Sequence, residues 1–483
     1  MTDPQPTDPQ PTDPRDLDPA LSGLEPALDT GRLVALDESA TTIDTGGAAA
    51  VLKNRNFLLL WLAQLATQIG GNMVVFGLTV MVFSATDSSS AVSLLLLTFL
   101  APAVFFSAVA GVYVDRLDRR LILIVTNLLR AIFFGLVYLA GGNVAAIFVL
   151  NIAISTVTTF FAPAEAAMIP ELVPRRQLLA ANGLFTFTQN AAFALGFALL
   201  GPLVNKLAGP EALILIVAVL YLVAMVFVIT LPSVLPAVAG LSAGEAVHDT
   251  ERAVASVFGE LREGLGYIRA HRSISWSLVY LGITASLIGV LGVLGPAFAS
   301  DTLGLAPEDF VVVVLPLGMG IVTGILLLNS YGNLFPRRRL MESGLVALGL
   351  LLTALSAAGP ITRFLQRAGA ATPLDVSGIV SLLAVVVAIG FLAGIAYALV
   401  AIPAQTGLQE ELPEEVRGRV FGVLNMLVSV ASFVPIIFFG FISDNVGTTV
   451  VMVVVGLGVT LVGVVSVLVR RPQPATIGAD AGG

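Results

Sequence analysis

The sequence contains no cysteine and only two histidines. The absence of cysteine excludes disulfides, thiol catalysis and cysteine-based metal sites. His248 and His271 fall in one polar segment and form no cluster that would hold a metal ion. Charged residues are also scarce, at 12%, against about 25% in ordinary soluble domains. We therefore expect neither a metal nor any other cofactor, and a protein with little charged surface.

Apolar residues are abundant instead, at 57% of the 483 residues. A lipid environment accounts for this excess, because lipid-facing positions must be apolar as well as buried ones. The formal net charge of −8 indicates no charged partner, since ten of the 32 acidic residues lie within residues 1–44. No basic patch with interleaved aromatic residues is present, which argues against nucleic-acid binding.

Twelve apolar runs are each long enough to cross a bilayer, which takes about 20 mostly apolar residues. They lie near residues 57–84, 90–113, 121–141, 144–169, 178–204, 211–231, 274–299, 310–330, 340–358, 378–403, 420–443 and 448–469. The sequence therefore predicts an all-α membrane protein with twelve transmembrane helices, and the membrane lipids are partners of its outer surface.

The remaining segments divide the chain into five parts. They are a Pro- and Asp-rich cytoplasmic tail at 1–50, a six-helix half at 51–231, a linker at 232–273, a second six-helix half at 274–470 and a tail at 471–483. We expect the first tail to be disordered because it has too few apolar residues to form a core. Residues 253–270 of the linker have the apolar spacing of an amphipathic helix that lies on the membrane surface.

The distribution of basic residues predicts the orientation. With a cytoplasmic N-terminus, 20 of the 24 Lys and Arg residues lie on the cytoplasmic side, and only Lys206, Arg363 and Arg367 lie outside. Arg130 alone falls within a span. Because cytoplasmic loops of membrane proteins carry an excess of Lys and Arg, we expect both termini in the cytoplasm and a polar external segment at 359–377.

The two halves resemble each other in sequence. Pro163-Ala164 and Glu171 of the fourth span recur as Pro403-Ala404 and Glu411 of the tenth, 240 residues later. Parallel six-helix repeats joined by a linker are typical of one kind of secondary transporter. We therefore expect two pseudo-symmetric halves.

The loop between the second and third spans contains a motif that resembles the signature of a known family. Residues 111–120, GVYVDRLDRR, are similar to the G-x-x-x-D-R-x-G-R-R signature of the major facilitator superfamily, with Asp118 in place of the second glycine. The matching residues, which the resemblance implies form a gating motif, are Gly111, Asp115, Arg116, Arg119 and Arg120. Residues 161–174, FAPAEAAMIPELVP, resemble the drug-efflux branch that includes enterobactin exporters and macrolide-efflux proteins.

This resemblance implies a monomeric secondary transporter of the cell membrane. The leading hypothesis is proton-coupled export of an amphipathic small molecule, such as a drug, siderophore or other natural product. Nutrient uptake, a lipid flippase and a non-transporting sensor remain alternatives. An enzyme is not expected, because no nucleotide-binding loop, metal constellation or nucleophile–base pair stands out.

Two charged residues are predicted to lie deep in the membrane. Arg130 is ten residues past Arg120, about 15 Å along a helix and so near the middle of a core about 30 Å thick. A charge there is costly and usually functional. Glu165, on the next span, is its expected partner, either in a direct pair or in a network shared with Arg116. Glu165 is also the acid that would link transport to protons; a purely structural ion pair is the alternative.

The remaining site predictions concern gating and the substrate cavity. Asp115 is expected near the start of the eleventh span at 418–420, where a carboxylate favours a helix N-terminus; a solvated loop charge is the alternative. Amide side chains on four spans are predicted to line the cavity, or else to join helices by hydrogen bonds. They are Gln64, Gln68, Asn72, Asn127, Gln189, Asn190 and Asn425.

Overall fold

The computed structural model describes residues 48–114, 116–233, 266, 272–370, 381–411 and 434–469. All regular elements within these residues are helical. Several predictions lie outside the described residues. They concern the tails, the linker helix at 253–270, Asp115 with its contact at 418–420, Asn425 and the side chain of Asn190.

The first half begins with a short helix and continues through six crossing segments. Its helices are α1 (Ala48–Leu52), α2 (Arg55–Thr86), α3 (Ser89–Val114), α4 (Arg119–Leu139), α5 (Val144–Leu172), α6 (Leu178–Ala192) and α7 (Gly201–Ile229). A π-helical stretch at Phe193–Leu200 joins α6 to α7. The chain then bends at Gly209, whose φ of 85° suits glycine, and Pro210 starts the next segment.

The second half has the same succession with one addition. Its helices are α8 (Arg272–Ala297), α9 (Val311–Tyr331), α10 (Arg337–Ser356), α11 (Ala358–Ala370), α12 (Leu382–Glu411), α13 (Val434–Val446) and α14 (Thr448–Val469). Helix α11 falls in the segment predicted as external at 359–377. It is not a featureless loop but a helix, with Thr362 buried and Arg363 and Arg367 exposed.

The described helices account for all twelve predicted spans. Ten helical runs are long and apolar enough to cross a membrane. One of them, Arg175–Ile229, is 55 residues long and contains two predicted spans separated by the bend at Gly209. Helix α13 is the described part of the span predicted at 420–443. The predicted all-α, multi-pass fold is confirmed.

The two ends of the bundle differ in charge. Basic residues lie where α2, α8 and α10 begin and in the α3–α4 and α5–α6 connections; we call this the arginine-rich end. The opposite end contains the turns at 87–88, 140–143, 303–310 and 447 and only three described basic residues, Lys206, Arg363 and Arg367. We call it the arginine-poor end.

Within each half, close helix packing depends on small residues. Helices α9 and α12 approach so closely that a Cβ on Gly320 would lie 2.0 Å from the Phe391 carbonyl oxygen, and one on Gly394 would lie 2.0 Å from that of Leu317. Small residues allow such backbone contact where lipid offers no hydrophobic driving force between helices. Each half is thereby a compact unit, and function depends on what joins the two.

Candidate functional site

Arg130 lies in a cage of aromatic rings in the first half. Its side chain is buried in α4, where Nε donates to the Thr126 carbonyl oxygen at 3.3 Å and Nη2 to Asn127 Oδ1 at 2.9 Å. Its Cζ lies 4.1 Å from the ring centroid of Phe161 and 4.6 Å from that of Tyr221. Both distances are within the range of a cation–π interaction. Rings from α5 and α7 therefore hold this charge away from lipid.

Glu165 is buried one helical turn beyond Phe161, and its Oε1 has no hydrogen-bond partner. The ion pairs between described residues are Arg119–Glu171, Lys206–Asp309 and Arg338–Glu342. The predicted direct pair of Arg130 with Glu165 is absent in this conformation, because no N–O distance of 4.0 Å or less joins them. The two side chains are nevertheless close enough to influence each other electrostatically. Asn127 and the rings of Phe161 and Tyr221 contact the Arg130 guanidinium instead.

Asn127 adds a second unpaired atom to this cluster. Its side chain is fully buried, with Oδ1 bound to Arg130 and Nδ2 without a partner. Buried polar groups are nearly always hydrogen-bonded, so unpaired ones call for an explanation. We define the Arg130 cluster as Arg130, Asn127, Phe161, Glu165 and Tyr221. It contains both an unpaired amide and an unpaired carboxyl oxygen.

The predicted cavity residues have different environments. Asn127 and Gln64 are buried within the first half, so neither lines an open cavity in this conformation. Gln64 Nε2 donates weakly to the Phe185 carbonyl oxygen at 3.5 Å, which is the helix-joining role of the alternative hypothesis. Gln68 and Asn72 are half-buried, and Gln189 is exposed. For Gln68, Asn72 and Gln189, lining of the substrate cavity stays a prediction.

Two arginines of the loop motif, Arg119 and Arg120, bind within the first half. Arg119 Nη1 donates to Glu171 Oε1 at 3.1 Å and to the Ala167 carbonyl oxygen at 3.2 Å. Arg120 Nη2 donates to the Ile229 carbonyl oxygen at the end of α7. Cationic side chains favour helix C-termini, where carbonyl groups lack partners. The motif thus joins the ends of α4, α5 and α7, a connection that the sequence analysis missed.

Of two other residues in the motif, Asp118 has a clear local role and Gly111 has no close contact. Asp118 Oδ1 accepts a hydrogen bond from the Arg120 backbone N–H at 2.9 Å and caps α4. This explains how an aspartate is accommodated where the resemblance predicts glycine, because aspartate is a favoured helix N-cap. Gly111 lies in α3, and a Cβ there would meet nothing within 4 Å.

One carboxylate connects the two halves. Asp444, near the end of α13, accepts hydrogen bonds from Ser88 Oγ at 2.7 Å, Ser89 N at 2.7 Å, Ser90 N at 3.0 Å and Ser90 Oγ at 2.5 Å. The sequence analysis missed this contact. Its signal was available, because three consecutive serines precede an apolar run and serine is a favoured N-cap residue.

The backbones of α3 and α13 touch below this carboxylate. Ser93 Oγ donates to the Ile436 carbonyl oxygen at 2.9 Å. A Cβ on Gly440 would lie 1.9 Å from Ser93 Oγ and 2.8 Å from the Ser89 carbonyl oxygen. Only glycine permits this approach. We call the contact of α3 with α13, including Asp444, the seam.

Aromatic rings close the same end of the bundle. Phe76 of α2 stacks on Phe310, with centroids 5.4 Å apart, and Phe197 meets Phe310 edge-on at 5.9 Å. Lys206 Nζ and Asp309 Oδ1, 3.3 Å apart, form an exposed ion pair across the halves. Among described residues, every hydrogen bond, ion pair and ring contact between the halves lies toward the arginine-poor end.

An apolar cavity of about 700 Å³ lies elsewhere, between α8, α13 and α14 of the second half. Its lining contains none of the predicted polar residues. The described residues also contain no group of three or more His, Asp or Glu side chains that could bind a metal ion. The chemistry available at the Arg130 cluster and the seam is therefore that of charges, amides, hydroxyls and rings.

Comparison with known proteins agrees with this architecture. A sequence model of the Major Facilitator Superfamily matches residues 60–434, which is more than half of the chain. The protein belongs to this superfamily. The relatives from this superfamily that the chain matches are transporters rather than enzymes. The chain is a multi-pass membrane transporter.

Two curated superfamily relatives are efflux proteins by name. Macrolide efflux protein A of Streptococcus pyogenes is 24% identical over 410 residues, which cover 81% of this chain and 90% of the relative. Multidrug efflux pump Tap of Mycolicibacterium fortuitum is 24% identical over 430 residues, covering 87% and 97%.

The superfamily fold is also found among solved structures. That of the nucleoside transporter NupG superposes with a TM-score of 0.63 at 12% identity, covering 86% of this chain and 99% of that one. At this identity the likeness concerns the fold alone.

Proposed function

We propose that this superfamily transporter exports an amphipathic small molecule from the cell by alternating access, as a monomer driven by the proton gradient. The observation that carries the proposal is the position of the contacts between the halves. Between described residues they gather toward the arginine-poor end, while Arg119 and Arg120 of the motif at the arginine-rich end bind within their own half. Halves held together at one end can rock about it, which is what alternating access requires.

The arginine-rich end is cytoplasmic in this proposal, and both termini lie on that side. Eleven described basic residues support it, from Lys53 to Arg339, against three at the other end. Cytoplasmic loops carry such an excess. The conformation is then closed toward the outside and is the one that accepts substrate from the cytoplasm.

Export is supported by the two efflux relatives, whose similarity extends over more than four-fifths of this chain. An amphipathic substrate suits the chemistry available along the path. The half-buried Gln68 and Asn72 offer amide groups on one face of α2, amid helices that are otherwise apolar. Amides can orient a polar group of the substrate while apolar walls contact the rest of it.

Glu165 is the proposed proton site. It is buried, unpaired and within the electrostatic reach of Arg130. A carboxyl group can couple transport to protons if its environment differs between the two states of the cycle. Rocking of the halves that also shifts α5 against α4 and α7 would change the surroundings of Glu165, so that it takes up a proton in one state and releases it in the other.

Transport in inverted membrane vesicles tests the function. Radiolabelled erythromycin and ethidium are suitable probes, one a macrolide and the other an aromatic cation. We expect accumulation of at least one probe when the vesicle interior is made acidic, and loss of this uphill accumulation in Glu165→Gln with downhill exchange retained. Accumulation that ignores the pH gradient would refute proton coupling, and movement only out of the vesicles would refute export.

Cysteine labelling tests the orientation, and the chain has no native cysteine to remove. Ser330 is exposed at the arginine-rich end and Ala368 at the arginine-poor end. An impermeant maleimide on intact cells should label Ala368→Cys and leave Ser330→Cys unlabelled. The opposite pattern would reverse the orientation.

A further inference from the structure

We propose that Asp444 is a gating residue: it latches the arginine-poor end shut by capping α3 from the opposite half, and the latch must release in every transport cycle. The inference rests on the proposed alternating access. It concerns a residue outside the loop motif and outside the Arg130 cluster.

The hydrogen-bond arrangement is that of a helix cap supplied by another part of the chain. The first turn of α3 contains no acidic residue, and its free N–H groups attract negative charge. Asp444 accepts from two of them, on Ser89 and Ser90. Ser88 Oγ accepts from the Ala91 N–H at 3.2 Å and donates its own proton to Asp444 at 2.7 Å. An ionised carboxylate has only acceptors, and four donors from the other half converge on this one.

The seam sets the distance between α3 and α13 that the Asp444 hydrogen bonds require. Asp444 and Gly440 are one helical turn apart on α13, as Ser89 and Ser93 are on α3, and the turns face each other in pairs. Because Gly440 has no side chain, the helices come close enough for Asp444 to reach the α3 N-terminus. Gly440 and Asp444 thus support the same contact of α3 with α13, at two successive helical turns.

The latch is built to open. All four hydrogen bonds end on a single side chain, so parting α3 from α13 breaks them together. Both Asp444 and Ser90 are near solvent, so water can replace the lost partners in the open state. A fully buried pair would lack this replacement and would hold the halves together too strongly. An exposed, charge-assisted contact of this kind favours the closed state and still permits release.

Accessibility of the seam measures the latch. Ser93 is only 2% exposed in the closed state, so Ser93→Cys reports opening through its reaction with an impermeant thiol reagent. In that background, Asp444→Ala should raise the labelling rate from outside intact cells about tenfold, which corresponds to about 1.4 kcal/mol. The double variant Ser88→Ala/Ser90→Ala should raise it less, because the backbone donors remain.

Asp87→Asn is the matched control. Asp87 is an exposed acid at the same end, in the left-handed conformation at φ 49°, where asparagine is well tolerated. Its backbone N–H bonds to Phe83 of its own helix, so the variant removes the same charge and leaves the seam intact. We expect its labelling rate to match that of the parent.

The possible outcomes distinguish a failure of the latch proposal from a failure of the proposed membrane orientation. An unchanged outside labelling rate in Asp444→Ala, or an equal rise in Asp87→Asn, refutes the latch. Labelling of Ser93→Cys from the cytoplasmic face instead refutes the proposed orientation. As a second test, Ser90→Cys/Asp444→Cys joined by a short bifunctional thiol reagent should abolish transport of the probes, and a reducible linker should restore it on cleavage. Transport that continues with the linker in place contradicts the proposal.

Discussion

Substitutions in the Arg130 cluster should have unequal effects on stability. In a simple ion pair, removal of either partner leaves the other charge buried and unpaired, and costs about 3–5 kcal/mol in each case. The cluster is different, because Arg130 is held by two rings, one amide and one carbonyl oxygen, whereas Glu165 Oε1 has no hydrogen bond to lose. The two single variants therefore distinguish the cage from a contact pair.

The structure gives the sizes of the two effects. Arg130→Gln removes two desolvated cation–π contacts, each worth about 2 kcal/mol, and leaves the charge of Glu165 without its counter-charge. We expect a total loss of about 3–5 kcal/mol. Glu165→Gln keeps the size of the side chain and breaks no hydrogen bond at Oε1, so we expect about 1 kcal/mol or less. The double variant should be more stable than Arg130→Gln alone, because the uncompensated carboxylate is gone.

Apparent thermal unfolding of the detergent-purified variants, together with their abundance in the membrane, is the assay. Arg363→Gln is a suitable control, since Arg363 is exposed and its loss should change neither quantity. Equal losses for Arg130→Gln and Glu165→Gln would refute the cage and indicate that the two residues form a contact pair. A loss below about 1 kcal/mol for Arg130→Gln would show that the rings contribute little.

Three further predictions follow from close contacts and from the loop motif. Gly440→Val should open the seam, because a Cβ would meet Ser93 Oγ at 1.9 Å. Ser93→Cys should then react faster with the thiol reagent while the amount of protein in the membrane stays the same. An unchanged labelling rate would contradict the contact. Gly394→Val should instead lower the amount of folded protein by size-exclusion analysis, because its Cβ would lie 2.0 Å from a backbone oxygen within one half; normal yield would refute that packing. Asp115→Asn should slow transport and raise the cytoplasmic accessibility of Gln68→Cys; unchanged values would exclude Asp115 from gating.

Much of the architecture was predictable because it depends on composition along the chain. Apolar runs of sufficient length must be helices in lipid, where every backbone group needs an internal partner. The runs therefore predicted most of the described helix bounds to within a few residues, although α12 continues to Glu411, past the predicted end at 403. The helix α11 was not predicted, since the segment at 359–377 is polar enough to be read as a loop. Its order depends on contacts such as the burial of Thr362 against the bundle.

The site was predictable only in part. Arg130 and Glu165 stood out because a charge in the middle of a span is rare, and both are buried in the first half. Their direct pairing was wrong for this conformation, because the sequence did not reveal that Phe161 and Tyr221 would surround the guanidinium. Tyr221 is 91 positions from Arg130, and no local pattern connects them. Gln64 and Asn127 were predicted to line the cavity, and nothing in the sequence indicated that other helices would cover them.

The sequence by itself determined the class of protein, the number of crossing segments, the two related halves and the uneven distribution of arginine, since each of these is a property of neighbouring residues or of composition. Only the tertiary structure decided which side chains meet between segments. The capping of α3 by Asp444 joins residues more than 350 positions apart, and an exposed aspartate after an apolar run is unremarkable on its own. The partner of such a residue is decided by how two helices from different halves pack, and that packing depends on the absence of a side chain at Gly440.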